Sequence, residues 1–191
     1  MKMVIALGSP RKNGNSETLA RAVAEGFEQH GGTVEYLALN KLAIRPCQGC
    51  GGCEKTGACV IKDDMTDIYD KIDQADRLLV VSPIYFYGLS AQTKIFIDRI
   101  QARWARRYSL KQRFRQDEGR RGYLLATAAT KGRKLFESSE LVVRYMLDAL
   151  DMACGDPLLV DGVDERGAVK KQEDLLARAR TFGEQIGTGA I

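Results

Sequence analysis

The sequence predicts an α/β protein built on one doubly wound, five-stranded parallel sheet with helices on both faces. Three observations support this prediction. Apolar runs of strand length alternate with amphipathic segments of helix length, no internal repeat or low-complexity linker interrupts them, and 191 residues suffice for one buried core but are few for two. Such alternation requires parallel strands joined by right-handed crossovers. We therefore expect a single domain over residues 1–191.

Each predicted strand is rich in residues that suit a strand buried on both faces. The five strands lie at residues 3–7, 34–39, 78–81, 123–126 and 158–160. An amphipathic helix segment is predicted after each strand. The five helices lie at residues 16–29, 65–74, 91–106, 136–150 and 168–186. Ligands of doubly wound sheets bind beyond the carboxyl ends of the strands, so function is expected in the loops after the first, third and fourth strands.

The composition is that of a soluble globular protein, with 45% hydrophobic and 28% charged residues. No apolar run approaches the roughly 18 residues that a membrane span needs. The N-terminal apolar run is also too short for the core of a signal peptide. We therefore expect no membrane span and a cytoplasmic location, where cysteines stay reduced.

The net charge is only +4, but basic residues crowd residues 99–121, where Asp117 and Glu118 are the only acids. This basic stretch could be a solvated helix end and loop, a surface that attracts an anionic cofactor or nucleic acid, or a subunit contact. Its basic residues are Arg99, Arg103, Arg106, Arg107, Lys111, Arg113, Arg115, Arg120 and Arg121.

The loop after the first strand, which we call the first loop (residues 8–18), has the composition of an anion-binding turn. It is dense in glycine, hydroxyl and amide residues and leads into a helix, whose N-terminus offers free N–H groups and a positive dipole end. Asn15 follows Gly14 where a Walker A loop has lysine, and no Gly-x-Gly-x-x-Gly is present, so a mononucleotide is favoured. Simple helix capping is the alternative. The predicted phosphate-binding residues are Ser9, Arg11, Asn15, Ser16 and Thr18.

Three consecutive aromatic residues, Tyr85, Phe86 and Tyr87, follow the third strand. Aromatic side chains in an exposed loop suit a flat ring, because they provide stacking area at a low cost in side-chain entropy. Ordinary core packing is the alternative interpretation.

Together, Gly-Ser-Pro-Arg at residues 8–11, Ser-Pro-Ile-Tyr at 82–85 and Lys-Ile-Phe-Ile-Asp-Arg at 94–99 resemble the NADPH-dependent FMN reductase branch of the flavodoxin-like superfamily, over nearly the whole chain. The resemblance implies a sheet of order 2-1-3-4-5 and FMN held by its phosphate in the first loop. It also implies NAD(P)H as electron donor and a homodimer or dimer of dimers. The implied contacts of the isoalloxazine are Pro83, Ile84, Tyr85, Phe86, Tyr87 and Gly88, with Ala128, Ala129, Thr130 and Gly132 after the fourth strand.

Four of the five cysteines lie within residues 47–59, in an insertion over residues 47–64. They are separated by two, two and five residues with glycines between them, and comparably close-set cysteines wrap an iron–sulfur cluster in bacterial ferredoxins. A structural zinc and an unmetallated loop are the alternatives. The pattern resembles the iron–sulfur flavoproteins of the same family. That resemblance implies a [4Fe–4S] cluster near the FMN, with Cys47, Cys50, Cys53 and Cys59 as ligands.

Three further residues carry expectations. Cys154 is expected to be a small buried thiol. Asp63 and Asp64 precede a predicted helix and are expected to cap its N-terminus. His30, the only histidine, lies near the end of the first helix and is expected to be solvated, with no catalytic role.

The expected function is that of an FMN-dependent oxidoreductase that moves electrons from NAD(P)H to a small-molecule or redox-protein acceptor. The flavin supplies the redox chemistry, so no catalytic acid or base is required. A non-catalytic electron carrier like flavodoxin is the alternative, although flavodoxins are typically acidic. Nucleic-acid binding would leave both flavin-like loops unexplained, so no nucleic acid partner is expected.

Overall fold

The computed structural model describes residues 1–115 and 118–191. Its strands are β1 (Lys2–Leu7), β2 (Thr33–Ala38), β3 (Arg77–Tyr85), β4 (Gly88–Leu89), β5 (Arg121–Thr127), β6 (Ala153–Cys154) and β7 (Leu158–Val160). Its α-helices are α1 (Asn15–Glu28), α2 (Gly52–Thr56), α3 (Met65–Gln74), α4 (Ala91–Arg99), α5 (Gln101–Trp104), α6 (Glu137–Ala149) and α7 (Glu173–Thr188). Short 3₁₀ turns lie at Leu39–Lys41 and Ala168–Lys171, and a π-helical turn lies at Ala105–Ser109.

The sheet has the predicted doubly wound, parallel topology. Its order is β2-β1-β3-β5, and both β6 and β7 pair with β5. β6 pairs with residues 121–122 of β5 and β7 with residues 125–127, so they share the fifth position of the predicted order 2-1-3-4-5. The strands β4 and β6 were not predicted, because two residues are too few to show a period.

Alternate residues of the central strands point to opposite faces and build two cores. Val4 and Ala6 of β1 contribute to the core under α3, α4, α5 and α6. Met3, Ile5 and Leu7 contribute to the core under α1 and α7. Because both faces of the sheet are covered, the carboxyl ends of the strands form the edge at which a ligand can reach several loops together.

Two predicted helices are interrupted. The segment predicted as one helix over residues 91–106 divides after Arg99, where the N–H of Ile100 bonds to the carbonyl of Ile97 three residues back and tightens the turn. The segment predicted over residues 168–186 divides at Gln172, whose φ of −118° and ψ of 82° are not helical. A helical pattern in sequence does not reveal such breaks, since residues on both sides keep the same apolar face.

The basic stretch is largely neutralised within the protein. Its ion pairs join Arg103 and Arg106 to Asp73, Arg107 to Asp148 and Asp151, Arg113 to Asp151, and Arg115 to Asp76 and Glu118. Asp117 lies outside the described residues. Arg120 is buried and donates to the carbonyls of Ile72, Ala75 and Leu150, and burial lowers its pKa to about 10. These contacts fasten the chain between α5 and β5 onto α3 and α6.

None of the helices in the described part of the chain combines the length and the apolar character needed to cross a membrane.

Candidate functional site

The first loop is locked against the segment that follows β3. The N–H of Gly8 donates to the carbonyl of Val81 over 2.8 Å, and the Ser90 hydroxyl donates to the carbonyl of Gly8 over 2.6 Å. A Cβ atom at Gly8 would lie 1.7 Å from Oγ1 of Thr93 and 2.9 Å from the carbonyl oxygen of Val81. The absence of a side chain at Gly8 therefore lets the loops after β1 and β3 meet.

A cavity of about 130 Å³ opens where these loops meet. It gathers residues from the first loop, from the ends of β3 and β5, and from a segment after β7. Of the predicted site residues, Ser9, Arg11, Asn15, Ser16, Pro83, Ile84, Tyr85 and Ala129 line it. Gly14, Thr127, Val163, Asp164 and Arg166 also line it. Most of the predicted phosphate end of the site is thus brought together.

The donors of this cavity suit an anion. The first helical bond of α1 runs from the N–H of Thr18 to the carbonyl of Gly14, so the N–H groups of residues 15–17 have no helical acceptor. Ser16 is 2% exposed, and its hydroxyl makes no hydrogen bond within residues 1–115 and 118–191. The Arg11 guanidinium is exposed and likewise pairs with no described residue. A phosphate group would satisfy donors that the protein itself leaves free.

Asn15 lines the cavity, but its side chain is engaged by another part of the protein. Its amide donates to the carbonyls of Val163 and Glu165 over 3.2 and 2.9 Å, and its Oδ1 accepts from the N–H of Val169 over 3.4 Å. The side chain is therefore committed to the segment of residues 163–169, which we call the 163–169 segment, and positions it beside the cavity.

The 163–169 segment supplies two charged residues that the sequence analysis missed, Asp164 and Arg166. Arg166 donates to the carbonyl of Lys12 over 2.7 Å and so joins the segment to the first loop. The available signal was its position, because it follows the carboxyl end of the last predicted strand, at the same edge of the sheet as the other three loops.

Thr18 does not line the cavity. Its hydroxyl donates to the carbonyl of Gly14 over 3.0 Å, and its side chain lies in a separate depression beside Asn13 and Glu17. A residue one helical turn beyond Gly14 points along the helix rather than past its end. The prediction that Thr18 lies at the phosphate site is therefore not met by the geometry.

The aromatic residues form the turn of a tight hairpin. β3 and β4 pair in antiparallel fashion, with Tyr85 opposite Gly88, and the two turn residues Phe86 and Tyr87 have φ values of 51° and 61°. Positive φ at both positions defines the type I′ hairpin turn, which normally carries Asn or Gly. Backbone strain of this kind is of order 1–3 kcal/mol per residue and clusters at functional sites.

The hairpin projects into solvent, so core packing is wrong for these aromatics. Phe86 is fully exposed, and Tyr85 and Tyr87 are 43% and 50% exposed. The Ser138 hydroxyl donates to the carbonyl of Tyr87. Gly132 lies beside Tyr87. A Cβ atom added at Gly132 would be 2.4 Å from the Tyr87 hydroxyl oxygen. Of the three aromatic residues Tyr85 lines the cavity, whereas Phe86, Tyr87 and the predicted contact Gly88 lie outside its lining.

Two other predicted contacts after the fourth predicted strand lie away from the cavity lining. Ala128 is buried, and its N–H and carbonyl bond to the chain after β7, at Val160 and Val163. Thr130 is exposed. Ala128 thus acts in the framework, where it joins the end of β5 to the 163–169 segment.

The four clustered cysteines surround a second cavity, of about 360 Å³. Cys47 and Cys50 are exposed, and Cys53 and Cys59 are partly buried. Burial and the three neighbouring thiols together raise the pKa of the Cys53 thiol. Among the described residues, no three His, Cys, Asp or Glu side chains are grouped as ligands of a single metal ion. Four thiols around one cavity are nevertheless the donor set that a multinuclear iron–sulfur cluster uses, so the residues present fit that group.

Three expectations near the cysteines need correction. Cys154 is exposed on β6 rather than buried, because β6 lies at the edge of the sheet. Asp64 makes no cap bond to α3 and instead accepts from the N–H of Ala43. Asp63 accepts from the N–H of Met65, as a cap would, but it also pairs with Arg99. Both carboxylates therefore hold the chain that leads into the cysteine loop.

The chain is similar to several known proteins. A family model described as NADPH-dependent FMN reductase matches residues 1–156. An iron–sulfur flavoprotein of Methanocaldococcus jannaschii is 38% identical over 99 residues, which are 52% of this chain and 51% of that protein. An iron–sulfur flavoprotein of Archaeoglobus fulgidus is 39% identical over 100 residues, 52% of this chain and 46% of that protein. The match thus spans about half the length of these curated relatives.

Solved structures share the fold. The NAD(P)H:quinone oxidoreductase from Methanothermobacter marburgensis superposes with a TM-score of 0.76 over 97% of this chain and 96% of its own, at 20% identity. At that identity the likeness concerns the architecture alone, and it is an architecture with a parallel sheet and helices on both faces.

Proposed function

The chain belongs to the NADPH-dependent FMN reductase family, and from that premise we propose that it is an FMN-containing oxidoreductase that moves electrons from NAD(P)H to a small-molecule or redox-protein acceptor. One observation carries the proposal. The cavity at the carboxyl edge of the sheet joins the N-terminus of α1 to the aromatic hairpin, and it includes the Ser16 hydroxyl and the Arg11 guanidinium, neither of which has a partner among the described residues.

Each part of the site has its own task. Ser16, Arg11 and the free N–H groups of α1 bind the phosphate, and Asn15 positions the 163–169 segment against it. The hairpin of Phe86 and Tyr87 orients a flat ring, and its strained turn is held in place by Ser138. FMN, when bound, supplies the redox chemistry by accepting a hydride from NAD(P)H and releasing electrons to the acceptor.

The first test concerns the phosphate. Arg11→Ala should weaken FMN binding by about 1.5–3 kcal/mol, or roughly ten- to a hundredfold, because a charge-assisted hydrogen bond is lost. Lys12→Ala is the matched control, since Lys12 is the adjacent cation and does not line the cavity. Titration of apoprotein with FMN measures both. Equal affinities of the two variants would contradict this placement of the phosphate.

Turnover separates an enzyme from an electron carrier. FMN-loaded protein should oxidise NADPH or NADH steadily when a quinone or ferricyanide is supplied, and Arg11→Ala should need more FMN to reach the same rate. Flavin that binds but is not reduced by either nicotinamide would instead favour the non-catalytic carrier.

We further propose that the cysteine loop holds a [4Fe–4S] cluster. Cys47, Cys50, Cys53 and Cys59 would ligate it, and it would supply a one-electron relay beside the flavin. The support is the chemistry of the donor set, four thiols around one cavity. Thiolate ligands persist in a reducing compartment, so we place the protein in the cytoplasm.

Protein prepared without oxygen should contain about four irons and four sulfides per chain. Cys50→Ser should lose the cluster absorbance and keep FMN, because a hydroxyl is a poor ligand for soft iron–sulfur sites. Cys154→Ser is the control, since Cys154 is exposed and lies outside the cysteine cavity. Wild-type protein that takes up no iron on anaerobic reconstitution would remove the cluster from the proposal and leave an FMN reductase with a vacant loop.

We also propose that the protein assembles as a homodimer or a dimer of dimers. An apolar groove of about 390 Å³ runs between α4, α5 and α6, and it is bordered by exposed side chains of Trp104, Leu141 and Tyr145. Clustered exposed apolar residues are typical of an interface. Leu141→Glu should lower the sedimenting mass, whereas Glu137→Gln, on the same helix but outside the groove, should not. An unchanged mass for Leu141→Glu would place the contact elsewhere.

A further inference from the structure

Arg99 is an unusual residue in the cysteine cavity. It is 1% exposed, lies at the end of α4, and lines the same cavity as the four thiols. Its guanidinium forms a bidentate pair with Asp63, with Nη1 to Oδ2 at 2.6 Å and Nη2 to Oδ1 at 3.1 Å. A buried arginine is retained at a cost in desolvation, so its remaining contacts indicate what it does.

The remaining contacts of Arg99 grip both ends of the cysteine loop. Nη1 donates to the carbonyl of Arg45 over 2.9 Å, and Nη2 donates to the carbonyl of Ile61 over 3.4 Å. Arg45 lies two residues before Cys47, the first thiol, and Ile61 lies two residues after Cys59, the last. One rigid, planar group therefore ties together the backbone at residues 45 and 61, each of which lies two residues from an outer cysteine.

The rest of the cysteine loop is lightly anchored. The short helix α2 within it has no buried residue, and Gly49, Gly51 and Gly57 all have positive φ. The thiol of Cys53 packs against the core and makes one long hydrogen bond within the described residues, to the carbonyl of Gln101 at 3.9 Å. Asp63 also accepts from the N–H of Arg45, and Asp64 accepts from the N–H of Ala43. These hydrogen bonds strengthen the junction between residues 43–45 and 61–64, which we call the neck of the cysteine loop.

One donor of the Arg99 guanidinium is left unused. Its Nε–H is buried and has no partner among the described residues, which is rare for a buried donor. A negatively charged group bound in the cavity would explain why Arg99 is buried beside it with one donor unused.

We propose that Arg99 is a positioning residue of the cysteine site, which closes the neck of the loop and places a buried positive charge beside the bound thiolates. Its effect on a bound cluster rests on the proposed function, whereas its effect on the neck does not. Net charge and hydrogen bonding near a cluster set its reduction potential, so Arg99 should favour the reduced form.

Two substitutions separate the two effects. Arg99→Lys keeps the charge, but one ammonium group cannot reproduce the planar fork. Arg99→Met with Asp63→Asn removes both charges of the pair and leaves no unpaired buried carboxylate, which protects folding. Asp63→Asn alone keeps the Arg99 cation and is the reference for the double variant. Arg103→Lys is the matched control, because Arg103 is also buried and bidentate, to Asp73, but does not line the cysteine cavity.

The first measurement uses protein without a cluster. Amide hydrogen exchange at residues 45–62 should be at least about tenfold faster in both Arg99 variants and unchanged in Arg103→Lys. The loss of one charge-assisted hydrogen bond corresponds to a factor of about this size. Exchange at the first loop is the internal reference. Exchange at wild-type rates in the Arg99 variants would overturn the clamp.

The second measurement uses anaerobically reconstituted protein. Both Arg99 variants should release iron faster to a chelator, but only the double variant should show a midpoint potential of the cluster clearly below that of Asp63→Asn. Equal potentials in Asp63→Asn and in a double variant that still binds FMN would overturn the electrostatic role. If wild-type protein itself takes up no iron, the cluster proposal fails and the exchange measurement alone decides the role of Arg99.

Discussion

The first loop and the cysteine loop are both predicted binding sites, but the fold supports them in different ways. The first loop connects β1 to α1, and its residues Gly8 and Ser16 are tied to or buried against the sheet. The cysteine loop carries exposed thiols at Cys47 and Cys50, and Val60 is 59% exposed. One loop is shaped by the core and the other by a few polar contacts at its neck.

The two loops differ in what fixes the positions of their ligand-binding groups. At the first loop, the strand and the helix fix the donors before any ligand arrives, so the site is preorganised. At the cysteine loop, the separation of the thiols depends on Arg99, Asp63 and whatever the thiols bind. Substitutions that break contacts between the first loop and the rest of the fold should therefore reduce stability, whereas loss of a cysteine ligand should act mainly on the bound group.

The largest effect is expected at Gly8. Gly8→Ala places a Cβ atom 1.7 Å from Oγ1 of Thr93, and the loops after β1 and β3 must separate. Overpacking of this kind costs about 1–3 kcal/mol or more. Gly88→Ala is the control, since its nearest neighbour would lie 3.8 Å away. Urea unfolding measures both, and equal midpoints would show that the first loop is not shaped by the core.

A smaller effect is expected at Asn15. Asn15→Ala removes three hydrogen bonds to the 163–169 segment and should cost about 1–3 kcal/mol. FMN affinity should fall with it, because the segment borders the cavity. Asn40→Ala, which removes a single bond to the carbonyl of Pro10, serves as the comparison. If stability fell but FMN affinity did not, the segment would be structural only.

A still smaller effect is expected at Ser16, and it should appear in binding alone. Ser16→Ala should weaken FMN binding by about 0.5–1.5 kcal/mol, the net value of one hydrogen bond, with little change in stability, since the hydroxyl has no partner in the described protein. Ser139→Ala is closely matched, because Ser139 is also buried with an unpartnered hydroxyl but lies on α6 outside the cavity. Similar FMN affinities for the two variants would remove Ser16 from the site.

The smallest effect is expected in the pH dependence of the free energy of unfolding, through Asp63 in the neck of the cysteine loop. Burial alone would raise the pKa of Asp63, but hydrogen bonds from Arg99, Arg45 and Met65 outweigh it and hold the pKa below its ordinary value. Because the folded pKa is the lower one, the stabilisation is complete above the unfolded value and is lost as pH falls through the folded value.

The drop in unfolding free energy from about pH 5 to about pH 3 should accordingly be smaller in Asp63→Asn than in wild type. Glu17→Gln is the comparison from the first loop, where the carboxylate pairs with the exposed Arg21 and should contribute less. A larger change for Glu17→Gln than for Asp63→Asn would contradict this prediction, because the carboxylate of the first loop would then contribute more to stability than the carboxylate of the neck.

Much of the fold was predictable because it depends on local patterns. All five predicted strands are present, within a few residues of their predicted ends, since apolar runs flanked by polar turns specify buried strands. Eight predicted cofactor-binding residues line one cavity because the carboxyl ends of parallel strands share one edge. Assignment of these residues to FMN stays a prediction that the titrations above decide.

By itself, the sequence determined the alternation of strands and helices, the family, and the segments that carry polar and thiol groups, since each depends on residues that are close together in the sequence. Tertiary structure alone decided that Asn15 serves the 163–169 segment, that the arginines of the basic stretch find acidic partners, and that Arg99 joins the two ends of the cysteine loop. These contacts join residues distant along the chain, and no local pattern encodes which distant groups the packing of helices on a sheet brings within hydrogen-bonding distance.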